Sequence, residues 1–283
     1  MPRPLIEPVS AETLGEFAAF LHQHLNASMS VDDWVRALSH HWGDEPRPNH
    51  GFVLRDEGRI VGGIGALYAS RQINGRLHKT CNITSWCVLE DYRKQSMRLA
   101  MTLTDQPGWD FTDFSPTEVV GGVLRFLKFT ALDERQTVLL PLPWLLASGQ
   151  AFHQPQDIES RLKGETLQQY RDHKDFPWLR HMVVGSGSDW CHVIYKRTEF
   201  KGLPAARVLH LSRPELLEQH WRRLSNALLW QGFASVHIDT RRAPATLWPT
   251  RIRSGFNAKV YRSDSLLPGE IDYLYSESMA MDL

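Results

Sequence analysis

Apolar positions along the chain change their spacing several times, and each change marks an element. Residues 3–9 read as a short strand. Across residues 11–26 the apolar side chains Leu14, Phe17, Ala18, Leu21 and Leu25 recur at helical spacing, with Ser10 placed to cap the first turn. A second helical stretch, 31–42, ends before the proline-rich loop EPRPNHG. The period then shortens. Runs at 52–55, 60–70 and 77–89, joined by turns at Asp56-Glu57-Gly58-Arg59 and Asn74-Gly75, predict an antiparallel meander of three strands. Helical spacing returns over 93–104 and stops at Pro107-Gly108. A short strand near 109–114, a helix from Ser115 or Pro116 to Phe126, and a strand over 137–142 complete the first part.

The second part repeats this rhythm. A helical stretch at 158–170 precedes strand-like runs at 182–184, 190–200 and 205–211, a long helix over 215–232 opened by Pro214, and a strand at 234–239. These patterns predict a mixed α/β fold with mostly antiparallel central sheets flanked by helices. They divide the chain into 1–145 and 146–283.

Composition narrows the function. Of 283 residues, 42% are hydrophobic and 23% charged, which is enough apolar material for one large or two modest cores. The 32 basic and 32 acidic side chains cancel, and Arg222/Arg223 and Arg241/Arg242 are isolated pairs, so no nucleic-acid footprint is expected. No stretch has the ~18 apolar residues of a membrane span, and the N-terminus lacks a leader-like apolar region, which predicts a cytoplasmic protein. Cys81, Cys87 and Cys191 show no CxxC spacing, and the pairs His22/His24 and His40/His41 lack metal-ligand spacing, so neither disulfides nor a metal is expected.

Four blocks, in this order, carry a family likeness: the opening strand and helix pair; FVLRDEGRIVGGIGA; SWCVLEDYRKQSMRLAMTL; and SPTEVVGGVLRFLKF. Together the first ~145 residues resemble the GNAT superfamily of acyl-coenzyme A-dependent N-acyltransferases. The resemblance implies acetyl-coenzyme A or another acyl-coenzyme A as co-substrate, no metal, and transfer of a short acyl group, acetyl first, to a small-molecule primary amine by direct attack in a ternary complex. It leaves open a homo-oligomer, and also a catalytically inactive binding protein. The element order of 146–283 is similar to the second half of tandem GNAT-like enzymes such as the Fem-type aminoacyltransferases and N-myristoyltransferases. That likeness implies an acceptor-binding or interface role and keeps a Fem-type transferase as an alternative, against which the missing basic stripe counts.

On this resemblance the acyl-pantetheine arm runs beside Trp86, Cys87 and Val88, and the pyrophosphate sits on the turn Arg93, Lys94, Gln95, Ser96, Met97 and Arg98. A strand that ends in a turn opening a helix directs backbone N–H groups and the helix dipole at one point, which suits a phosphate. Ser96 and Arg98 occupy positions where the family prefers small residues, and the tyrosine that often protonates the leaving thiolate falls on Leu124, before the imperfect motif Leu127-Lys128-Phe129. Glu90, Asp110 and Ser115 are the candidate catalytic groups; Asp113 and His78 are further candidates for the base. The simpler reading, which serine's preference for the position favours, makes Ser115 a helix cap, and Cys87 reads as a small buried hydrophobe rather than a nucleophile. The acidic-aromatic tail through Tyr275-Ser276-Glu277 either closes over a cleft or docks on the body.

Overall fold

The computed structural model describes residues 4–43 and 46–282. Arg3 of the expected opening strand and Glu45 of the proline-rich loop lie outside them. The first part contains β1 (Leu5–Pro8), α1 (Leu14–His24), α2 (Val31–Ser39), β2 (His41–Trp42), β3 (Gly51–Asp56), β4 (Arg59–Ile73) and β5 (Arg76–Val88). After a 3-10 turn at Glu90–Gln95 come α3 (Ser96–Thr104), β6 (Asp110–Asp113), α4 (Glu118–Phe126), β7 (Thr130–Ala131) and β8 (Gln136–Leu139). The rest comprises β9 (Gln150–Phe152), α5 (Pro155–Arg161), α6 (Gly164–His173), β10 (Leu179–Ser186), β11 (Asp189–Phe200), β12 (Leu203–Leu211), α7 (Pro214–Trp230), β13 (Ser235–Asp239), β14 (Thr250–Arg253), β15 (Val260–Arg262) and α8 (Glu277–Ala280).

Local chemistry accounts for most of these boundaries. Glu57, Gly58, Asn74 and Gly75 all have positive φ, the conformation that two-residue hairpin turns require, so β3–β4 and β4–β5 close where the sequence predicts. Ser30 caps α2 by accepting from the Asp33 N–H at 3.1 Å. The expected helix over 158–170 is instead two helices, because Leu162 and Lys163 are extended and Gly164 takes φ +54°. Similarly, α2 stops at Ser39, since His40 is extended and leads into β2, which lies parallel to β4.

Two sheets result. The first has the order β1-β3-β4-β5-β6-β15-β7 with β2 beside β4, and the second β14-β8-β13-β12-β11-β10-β9. Each contains two long antiparallel strands followed by a helix and a parallel strand: β4, β5, α3, β6 in one and β11, β12, α7, β13 in the other. The division of the sequence at residue 145 does not coincide with the division between sheets. Strand β8, expected to close the first part, pairs with β13 in the second sheet, and β15 from near the chain's end pairs with β6 and β7 in the first. Burial decides the exchange: Leu139 is completely buried in the cluster of Val236, Ile238, Leu224 and Leu228 beneath α7. A period-two run specifies a strand but not the edge on which it docks.

The C-terminal segment threads between the halves, burying Ile271, Tyr273, Leu274, Tyr275, Met279 and Met281 against α1, α2 and the inner face of the second sheet. Asp272 fixes it. Its carboxylate receives two hydrogen bonds from Arg71 on β4, at 2.6 and 3.2 Å, and one from His210 Nδ1 on β12 at 2.9 Å. Burial opposes ionisation of Asp272, but Arg71 and His210 outweigh it and hold the carboxyl well below its usual range. Around this clasp lie four imidazoles, His173, His192 and His210 buried and His181 half-buried. His181 stacks on His192 with ring centroids 5.4 Å apart, His210 lies edge-on to His192, and His173 faces Tyr275. Burial depresses all four, His173 to about 3 and His181 to about 4, so the folded interface holds them neutral.

Two consequences are measurable. Asp272→Asn leaves the buried Arg71 guanidinium uncompensated and should lower unfolding free energy by ~3–5 kcal/mol in urea titration at neutral pH. Below the unfolded-state value near 6.5, the unfolded chain takes up protons that the neutral histidines refuse, so stability falls with pH by up to about 1.4 kcal/mol per pH unit for each of them. The buried carboxylates described below pull the other way, but they are two against four. Melting temperature should therefore drop steeply between about pH 6.5 and 5; a flat profile would contradict the neutral assignment.

Candidate functional site

Strands β5 and β6 are hydrogen-bonded in parallel only from Thr80↔Asp110 to Asn82↔Thr112. Beyond Asn82 they part. Ser85 adopts φ +53°, and the register of β5 against β4 shifts between Gly63 and Gly65, which turns the end of β5 away from β6. The backbone of β5 from Ile83 to Val88 thus presents an unpaired strand edge inside the sheet, suited to an extended ligand that hydrogen-bonds as an added strand. On the β4 side the crowding is severe: a Cβ on Gly63 would lie 2.3 Å from the Phe17 ring, so glycine is what lets α1 pack directly on β4.

The gap holds a cavity of about 320 Å³, walled by Trp34, Trp86, Asp113, Ser115 and Val120 among others. Two buried carboxylates meet at Ser115: Asp113, which lines the cavity, and Glu277, which comes from the C-terminal segment and reaches the cavity wall through the Ser115 hydroxyl. Asp113 ends β6 and accepts from the Ser115 N–H at 3.0 Å. Glu277 opens α8; its Oε1 accepts from the Phe114 N–H at 3.2 Å and from the Ser115 hydroxyl at 3.3 Å. The Glu277 N–H donates to Asn82 Oδ1 at 2.9 Å, and Asn82 in turn donates to Thr112, so the last paired residues of β5 and β6 set the position of Glu277. Glu277 Oε2 has no hydrogen-bond partner among the described residues. Burial pushes both carboxyls up, and the charge of Glu277 pushes Asp113 further, with Glu277 reaching about 7. Burial thus brings the Glu277 carboxyl to about 7, where it can take up or release a proton near neutral pH.

The residues expected from sequence fall into distinct places. Trp86 walls the cavity, and its indole N–H has no partner among the described residues. Val88 packs against Gly62, and Cys87 reaches the His24 carbonyl at 3.6 Å; burial pushes its thiol up, which suits an inert side chain. Beyond the strand, the residues of the expected phosphate turn do not form an open loop. They form the 3-10 turn and the first turn of α3, with the Tyr92 N–H bonded to Leu89 O and the Ser96 N–H to Arg93 O. Arg93, Lys94 and Met97 are exposed, and Gln95 and Ser96 are half-buried. Arg98 turns away from the cavity, donating to Gln95 Oε1 at 2.7 Å and to the Pro4 carbonyl at 3.5 Å.

Glu90 is exposed and ion-paired with Arg93 at 2.8 Å. Asp110 starts β6 and pairs with His78 at 3.2 Å in a separate polar cavity. Its register partner Thr80 lies eight residues from Val88, roughly 26 Å along an extended strand. Ser115 is on the cavity wall, and the cap of α4 is Thr117, which accepts from the Val120 N–H at 3.3 Å. The tyrosine position is indeed an apolar one, since Leu124 is fully buried in the core. Glu277 could be suspected from sequence only as part of the acidic-aromatic tail, because nothing in its spacing relates it to Asp113. Among the described residues no group of three His, Cys, Asp or Glu side chains is arranged to hold a metal, and no helix is long and apolar enough to cross a membrane.

No family model matches the chain, and no curated protein matches its sequence. Solved structures do match. A GCN5-related N-acetyltransferase from Anabaena variabilis superposes with a TM-score of 0.61 at 13% identity, covering 92% of this chain and 72% of its own. A conserved protein of Enterococcus faecalis gives 0.61 at 11% identity with the same coverage, and a GCN5-related N-acetyltransferase from Kribbella flavida gives 0.55 at 12%, covering 92% and 71%. The splayed central strands, the helix that follows them and the superposition over nine-tenths of the chain agree: this protein has the GCN5-related N-acetyltransferase fold.

Proposed function

We propose that the protein is an acyl-coenzyme A-dependent N-acyltransferase that moves a short acyl group, acetyl first, to a small primary amine. The observation that carries this reading is the gap between β5 and β6 with Ser115 on its wall and the buried Glu277 carboxylate 3.3 Å from the Ser115 hydroxyl. The first sheet supplies the donor side. The thioester arm lies along the open edge of β5 past Trp86, Cys87 and Val88, and its phosphates meet Arg93 and Lys94 in the 3-10 turn that precedes α3. The second sheet and the C-terminal segment supply the acceptor side.

The neutral amine attacks the thioester carbonyl, forming the C–N bond while a backbone N–H of β5 near Val88 stabilises the developing oxyanion. Collapse breaks the C–S bond. The proton lost by the nitrogen passes to the Ser115 hydroxyl as Ser115 hands its own to Glu277, whose oxygen lies 3.3 Å away. Burial keeps the Glu277 carboxylate basic, and its charge in turn holds the neighbouring Asp113 carboxyl up. With Leu124 at the usual acid position, the thiolate departs without a dedicated donor, which its pKa near ~8.5 permits.

One observation favours a second reading, a binding protein without turnover: the N–H groups of Tyr92 and Ser96 are already bonded within the turn and are not offered to a phosphate. Titration calorimetry with acetyl-coenzyme A separates the two. Under the proposal, binding is saturable and the Arg93→Ala, Lys94→Ala double variant weakens it by about tenfold at low salt and less at high salt, because both side chains are exposed. Absence of binding by calorimetry and by melting shift would refute the donor assignment.

The base is tested by Glu277→Gln against a panel of primary amines. Turnover should fall by ~10²–10⁴ while acetyl-coenzyme A affinity holds. A base acts deprotonated, so kcat/KM of the unaltered protein should rise with pH through about 7, and the variant should lose that rise. At pH above 7 the same variant removes a like-charge repulsion and should melt no lower than the parent. A matching loss of activity and stability would assign Glu277 a structural role only.

A further inference from the structure

The inner face of the second sheet carries a row of basic residues that packing does not require. Lys196 on β11, Arg207 on β12 and His237 on β13 are direct register partners, so they stand side by side on one face. Like charges directly opposite one another in a sheet are unfavourable unless something neutralises them. Lys196 is neutralised, through the Met281 carbonyl and Asp282 at 3.9 Å. Arg207 is not: no carboxylate lies within ion-pairing distance of it among the described residues, and its buried Nε has no hydrogen-bond partner. Glu199, the acid that shares its cavity, is exposed and unpaired with it.

Arg207 faces a cavity of about 210 Å³ whose other walls include Phe200, His237, Phe256, Lys259 and Tyr273. The Arg207 guanidinium and the Lys259 ammonium flank the Tyr273 ring at 5.3 and 5.4 Å. Tyr273 is 3% exposed, yet its hydroxyl has no partner among the described residues. Lys259 is already committed to Asp239 at 2.8 Å, which leaves Arg207 and Tyr273 as the polar groups in need of an acceptor. Phe200, edge-on to His237 at 4.6 Å, also walls a second and larger cavity of about 420 Å³. That neighbour is lined by Val138, Leu140, Leu203 and Pro249 together with Lys201, Arg251 and Arg253.

We infer that these adjoining cavities form a binding site for a small amphiphilic carboxylate, with its head on Arg207 and Tyr273 and its aliphatic body passing Phe200 into the apolar cavity. A guanidinium takes a carboxylate through paired N–H donors, and the apolar walls take a short chain that a bare anion would lack. The site lies on the second sheet, outside the gap between β5 and β6, and does not rest on the proposed transferase activity.

The test is titration of the full chain with octanoate, acetate and inorganic phosphate, followed by melting shift and by calorimetry. Octanoate should bind saturably with a Kd of about a millimolar or better. Acetate, which has no body, should bind at least about tenfold more weakly, as should phosphate. Arg207→Gln should weaken octanoate by about tenfold or more with an unchanged circular dichroism spectrum. Arg207→Lys should restore part of that loss, and Phe200→Ala should weaken octanoate without affecting acetate. Octanoate that fails to saturate, or that binds Arg207→Gln as well as the parent, overturns the site. Phosphate binding as tightly as octanoate overturns the amphiphilic ligand class. If Arg207→Gln does not fold, the Phe200→Ala comparison and the octanoate-to-acetate ratio decide alone.

Discussion

The Asp272 carboxylate is the point on which the two sheets and the terminal segment meet. Arg71 comes from the first sheet, His210 from the second, and Asp272 from the chain crossing between them. A buried ion pair of this kind gains little over apolar packing, but removing one partner strands a charge in a medium that cannot solvate it. Such an arrangement tolerates few alternatives, so it specifies how the segment lies more strongly than it adds stability. Five residues further on, that placement delivers Glu277 to Asn82, Phe114 and Ser115.

The chemistry of the cleft follows from this delivery. Asp113 alone, at the end of a short strand and bonded to the Ser115 N–H, would be one buried acid among others. Glu277 beside it makes a pair that cannot both ionise cheaply, and desolvation on every side raises both. The fold also separates acids of equal standing in the sequence. Asp110 and Asp113 belong to the same four-residue strand, yet one faces His78 and the other the gap, because β6 is paired to β5 at its start and free of it at its end.

Much of this was legible from residues alone wherever the information is local. The hairpin turns at Glu57-Gly58 and Asn74-Gly75, the amphipathic faces of α1 and α7, and the strand that leads into a helix at Val88 depend on neighbours within a few positions. Trp86 and Ser115 could be placed near the cleft for the same reason: they sit at or just beyond the ends of strands whose order the pattern predicts. Glu90 and Asp110 had equal claim on that logic and lie elsewhere, since proximity to a strand end does not say which end of the sheet faces the gap.

The sequence by itself determined the types and order of most elements, the absence of a basic footprint, and the likeness of the first ~145 residues to an acyltransferase, because each rests on spacing, turn chemistry or composition. Only the tertiary structure decided that β8 and β15 trade sheets, that Arg98 turns away from the cleft, that Glu277 joins Asp113, and that Lys196, Arg207 and His237 line one face. Those outcomes depend on contacts between segments up to 195 residues apart. A strand's pattern fixes which face is apolar but not which edge it joins, and a carboxylate's basicity is set by the solvent and charges the fold removes or brings beside it.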